Sequence, residues 1–209
     1  MRSETYALFC AQIRTMKRRI LMYVMLFACP LFSRAQMDMA AVSLKNSLET
    51  ILKDYPNAFR NLMGEEQGAN PQFTEFACRV PLTGAISTHF SRFNTPNGNV
   101  VAFEALMLQS EDFKVAAAKY KSICSELKKG IFKMGQHRPY IMDGKFVPPS
   151  EEKAFHEVIY TLLPADMIVD KLKITVALDY VFPSWEVRIR VYDKDADNKE
   201  VYGDEDDDY

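Results

Sequence analysis

Leu172 to Tyr180 alternates with little interruption. Leu172, Ile174, Val176, Leu178 and Tyr180 fall on one side, and Lys173, Thr175, Ala177 and Asp179 on the other. Trp185 to Val191 repeats the pattern, with Glu186, Arg188 and Arg190 outside. Period-two alternation means strands with one buried face and one polar face, which is the habit of antiparallel sheets. The short link Val181-Phe-Pro-Ser184 predicts that the two strands pair as a hairpin. Any fold for this chain must therefore cover one face of an antiparallel sheet.

Other segments supply the cover. Asp38 to Asp54 reads as an amphipathic helix capped by Asp38, with Leu44, Leu48, Ile51, Leu52 and Tyr55 at helical spacing. Pro56 stops it, a short helical turn is expected over Asn57 to Met63, and Glu65 to Gln72 reads as a polar loop. Phe73 to Leu82, Ala85 to Phe93 and Val100 to Leu108 read as a meander, with a turn at Asn94 to Asn99. A second helix is expected between an N-cap at Ser110 and a stop at Gly130. Its apolar stripe is Phe113, Ala116, Ala117, Tyr120, Ile123, Cys124 and Leu127. Ile131 to Glu152 reads as a long excursion with one hairpin, and Phe155 to Leu163 as a further strand. The order α-βββ-α-βββ predicts a two-layer α+β fold, an antiparallel sheet of about six strands with helices on one face.

The N-terminal region reads as an export signal. Lys17, Arg18 and Arg19 precede a 13-residue apolar run, Ile20 to Phe32, and Ser33 and Ala35 are the small residues that a signal peptidase reads. Cleavage is expected between Ala35 and Gln36. The run is too short to span a bilayer, which takes about 20 residues. Leu26-Phe27-Ala28-Cys29 also resembles a lipobox, so a lipid on Cys29 is the alternative mature N-terminus, with Phe27 and Pro30 against it. Residues 1–15 lie ahead of the basic cluster, and Met16 is the expected true start. The domain layout is thus 1–35 signal, 36–192 one α+β domain, and 193–209 an acidic tail expected to be disordered.

Removing the signal changes the charge. The first 35 residues hold six basic groups and one acid, which leaves 20 basic and 27 acidic residues. Nine of those acids lie in Asp193 to Tyr209, so the body is balanced. That balance excludes nucleic acid as a partner and electrostatic docking on anionic lipid, because both need a basic surface. Cys78 and Cys124 survive cleavage, and an oxidising compartment predicts a disulfide between them. Two separate buried thiols are the other reading.

Sites of chemistry are sparse. His156-Glu157 opens like a zinc-protease motif, but Tyr160 stands where the second histidine belongs. His89, His137 and His156 lie on three different elements, and a hydrolase site would need them to converge with nearby acids. Asp193, Asp195, Asp197 and Asp204 occupy positions 1, 3, 5 and 12 of a calcium-loop pattern without its glycine or flanking helices. No nucleophile elbow, phosphate loop or dinucleotide fingerprint is present, and no cofactor is expected. His137, Arg138, Tyr140 and Phe146 in Gln136 to Val147 form a candidate recognition loop; a flap over the sheet edge is the other reading.

The signal with its Ala35-Gln36 site and the helix–strand order resemble those of small exported α+β proteins of Gram-negative bacteria. That resemblance covers most of the mature chain and implies export, to the periplasm or beyond, and no particular activity. The expected function is a non-catalytic binding or interaction module of the cell envelope, with a protein or small-molecule ligand. A hydrolase built from scattered histidines and acids is the first alternative. A structural envelope component or lipoprotein is the second.

Overall fold

The computed structural model describes residues 44–95, 98–135 and 138–194. The expected signal segment with its expected Ala35-Gln36 site, Cys29, His137 and the tail beyond Lys194 lie outside them. Contacts gather the described residues into one compact unit. No helix among the described residues is long and apolar enough to cross a membrane.

The chain is α+β, with an antiparallel sheet, as its alternation predicts. Helix α1 covers 44–54. Strands β1 (Met63–Ala69), β2 (Phe73–Cys78), β3 (Ser87–Thr95) and β4 (Gly98–Ser110) follow, then α2 (Phe113–Lys129). Strands β5 (Ile131–Lys133), β6 (Pro139–Asp143), β7 (Phe155–Leu163), β8 (Leu172–Val181) and β9 (Ser184–Asp193) complete it. All nine strands join one sheet in the order β1-β2-β3-β4-β9-β8-β7-β6-β5. Each half is a helix followed by a meander that runs from a sheet edge to the centre, where β4 and β9 pair antiparallel.

Nine strands replace the expected six, for identifiable reasons. The extra edge strand β1 is hidden in a polar segment, five of whose seven residues are exposed. It closes on β2 through Gly64, where a Cβ would stand 3.1 Å from the Ala77 carbonyl oxygen. The expected helical turn at Asn57 to Met63 gives way to a single 3-10 turn at Tyr55–Asn57. Ala58 and Phe59 then take positive φ, 51° and 57°, and reverse the chain so that Phe59 is buried. Asp54 braces this reversal by accepting from Asn57 Nδ2, Asn61 Nδ2 and the Asn61 backbone N–H. The hairpin in the long excursion is β5–β6, which adds two strands at the other edge. Asn94 and Asn99, expected in a turn, instead pair across β3 and β4, as do Thr95 and Gly98; residues 96 and 97 are not described.

One core unites the elements. Leu44, Leu48, Ile51 and Leu52 of α1 and Ala116, Tyr120, Ile123, Cys124 and Leu127 of α2 join alternate strand residues such as Phe90, Phe103, Val158, Tyr160, Ile174, Val176, Val187 and Ile189. Helix α2 packs on β4, β6, β8 and β9. Its N-cap is Asp112, whose Oδ1 accepts from Lys114 N at 2.7 Å, and not Ser110. Ser110 is instead the last residue of β4, opposite Trp185.

Cys78 and Cys124 are free thiols, which corrects the expected disulfide. Cys78 ends β2, two places from β4, whereas Cys124 faces down from α2 onto the other half of the sheet. Cys78 Sγ donates to the Val80 carbonyl at 3.1 Å. Burial pushes the Cys124 thiol up to about 11.

Candidate functional site

The apolar core residues of the strands face the helices, and function is sought on the other face of the central strands, where Thr175, Ala177 and Glu186 are buried too. Register gives that face as rows. One row runs Ala77, His89, Glu104, Arg190, Thr175, Ile159 across β2, β3, β4, β9, β8 and β7. The next runs Leu106, Arg188, Ala177, Glu157, and a third Gln109, Glu186, Asp179, Phe155. Polar residues occupy these positions because the same strands spend their alternate positions on the core.

Glu104 organises the charges. Arg190 Nε donates to its Oε2 at 2.7 Å, and Arg188 Nε lies 3.6 Å from its Oε1. Arg188 Nη2 also donates to Glu186 Oε2, and Gln109 Nε2 donates to Glu186 Oε1 at 3.3 Å. Burial works against the Arg190 charge, yet Glu104, Asp179 and Glu157 hold its guanidinium above the ordinary arginine range. Burial pushes the Asp179 carboxyl up, and Glu104 and Glu186 reinforce this against the pull of Arg190 and Arg188. The Oδ1 atom of Asp179 and the Oγ1 of Thr175, whose residue is 0% exposed, are buried without a hydrogen-bond partner. Buried polar atoms are ordinarily paired, so these two mark unmet bonding capacity at the centre of the sheet.

An apolar row borders this patch. Ile131, Ile141 and Leu163 stand abreast on β5, β6 and β7. Ile159 and Phe155 continue the line along β7 on the same face, and all five are between 38% and 55% exposed. Isolated surface aliphatics are ordinary; an exposed apolar line beside a charged patch makes this face the candidate site.

The residues singled out from sequence alone scatter. His89 stands opposite Glu104 on the open face. His156 is buried on the core face of β7, its Nε2 2.8 Å from the Ser150 carbonyl oxygen. Four strand spacings, roughly 19 Å, separate β3 from β7, so these two histidines do not converge. In the recognition loop, Tyr140 is fully buried and donates to Asp166 Oδ2 at 2.7 Å. Phe146 packs on Tyr120 with ring centroids 5.9 Å apart. Arg138 is tied to the Ala165 carbonyl and to Asp166. Tyr140 and Phe146 therefore serve the core rather than a loop surface. Asp193 ends β9 and accepts from Tyr55 Oη at 3.0 Å, so it belongs to the sheet and not to a tail. Asp195, Asp197 and Asp204 lie outside the described residues. Among the described residues, no group of three or more His, Cys, Asp or Glu side chains is placed to hold a metal.

The charged patch was partly visible in sequence as the outward set of β8 and β9. Its link to Glu104 was not, because that pairing spans 86 residues. No protein-family model, curated protein or solved structure matches the chain.

Proposed function

We propose that the protein is a non-catalytic binding module, exported through residues 1–35 to the periplasm or cell envelope, and that it holds its ligand on the open sheet face. The observation that carries this reading is the pairing of a half-buried charged patch with an ordered line of exposed apolar side chains on one face. Core packing does not require either feature there. Exported binding also accords with the basic cluster, apolar run and small residues that end at Ala35. Lipidation at Cys29 would place the same module on a membrane.

The apolar line from Ile131 to Phe155 also favours a second reading, a structural envelope component that buries this face permanently against a neighbour. The hydrolase alternative has less support, because His89 and His156 occupy opposite faces and distant strands.

A capture experiment tests the reading. Ile141→Asp with Ile159→Asp places two charges in the apolar line without touching the core. Envelope partners retained by the wild-type chain should be lost from this variant while its circular dichroism is unchanged. Equal capture by both chains would remove the open face as the binding surface.

A further inference from the structure

Short side chains form the floor of the charged patch. Thr175, Ala177 and Asp179 follow one another along the open face of β8, between Arg188 and Glu186 on β9 and Ile159 and Phe155 on β7. Both polar groups of this floor carry a buried atom with no partner. Asp179 and Glu186 stand directly opposite each other. Carboxyl groups facing across one strand pair repel unless a cation serves both. Arg188 and Gln109 serve Glu186, and neither donates to Asp179.

Resting on the reading of the open face as a binding surface, we propose that the Asp179 end of this strip binds a primary ammonium group carried on an aliphatic chain. The charges that face it are Glu186, Arg188 and Arg190 from β9, Glu104 from β4 and Glu157 from β7. With Asp179 ionised and Glu157 engaged with a partner of its own, Asp179, Glu186 and Glu104 stand as three acids against the two bases Arg188 and Arg190, so the set lacks positive charge. The missing cation is organic, since a metal finds no set of three ligands among the described residues. A compact ammonium suits a single carboxyl oxygen better than the wide fork of a guanidinium. Phe155, 55% exposed, stands opposite Asp179, where an aromatic side chain can meet a cation, and Ile159 takes the chain. The Thr175 hydroxyl, buried and without a partner, lies further along the same floor.

The exported chain, labelled with 15N, is titrated with hexylammonium chloride and, separately, with sodium hexanoate. Hexylammonium should give saturable shifts in amides around Phe155, Asp179 and Glu186. Asp179→Asn, which keeps the shape and removes the charge, should weaken that binding about tenfold or more, as loss of a charge-assisted hydrogen bond does. Burial raises the Asp179 carboxyl, so wild-type binding should tighten as the pH rises through its titration, and the variant should lack this dependence. Unchanged binding by the variant, or no saturable shift anywhere, overturns the proposal. Saturable shifts on this face from hexanoate alone overturn the ammonium and keep the open face as the binding surface. Shifts confined to α2 overturn both.

Discussion

Phe103→Ala should destabilise the protein by about 3–5 kcal/mol in urea denaturation. Phe103 is fully buried in β4, at the centre of the nine-stranded sheet. Its ring lies 5.3 Å from that of Phe90, and Phe90 lies 5.4 Å from Phe59. Phe59 in turn meets Tyr55 at 5.9 Å, edge to face. The series of rings joins the end of α1 to the middle of the sheet. Truncation would remove the ring's burial and leave a cavity that paired strands cannot collapse to fill. Phe182→Ala is the matched control. That ring is 85% exposed at the β8–β9 turn, and its loss should change stability by less than about 0.5 kcal/mol. Equal effects from the two substitutions would mean that the aromatic series does not tie the end of α1 to the sheet.

Gly144→Ala should cost about 1–3 kcal/mol, a large effect for one methyl group. A Cβ at this position would stand 2.6 Å from Tyr160 Cδ1 and 2.8 Å from the Ile159 carbonyl oxygen. Neither neighbour yields easily. Tyr160 is 1% exposed and donates to the Cys124 carbonyl at 3.1 Å, which ties β7 to α2. The Ile159 carbonyl belongs to the backbone of a strand paired with β8. Relief requires the segment after β6 to move away, and that segment carries Phe146 onto Tyr120. The midpoint of thermal unfolding should therefore fall. An unchanged midpoint would show that the chain at Gly144 is free to shift.

The parts of the fold legible in sequence were those where one face is apolar and the other is not. β8 and β9 alternate cleanly, and α2 carries its stripe on a single side, so both emerge from periodicity alone. β1 was unreadable because Gly64-Glu65-Glu66-Gln67-Gly68 has no apolar face to bury at the sheet edge. β6 was obscured for the opposite reason. Tyr140 and Met142 face the core while Ile141, between them, is apolar and exposed, so its alternation does not show as apolar against polar. That misreading placed Tyr140 in a recognition loop. The reversal at Ala58 and Phe59 depends on positive φ in residues that rarely adopt it, and composition carries no sign of it. The charged patch needed the pairing of β4 with β9, a contact between the two halves that no local pattern encodes.

The central claim is that the open face is the working surface. Hydroxyl-radical footprinting of the chain from Gln36 in envelope extract, compared with the chain alone, addresses it directly. Protection should gather on Phe155, Ile159, Leu163 and Ile141, with Val115 and Lys121 on α2 unchanged. Protection of Val115 and Lys121 with the β7 residues unaltered would contradict the account.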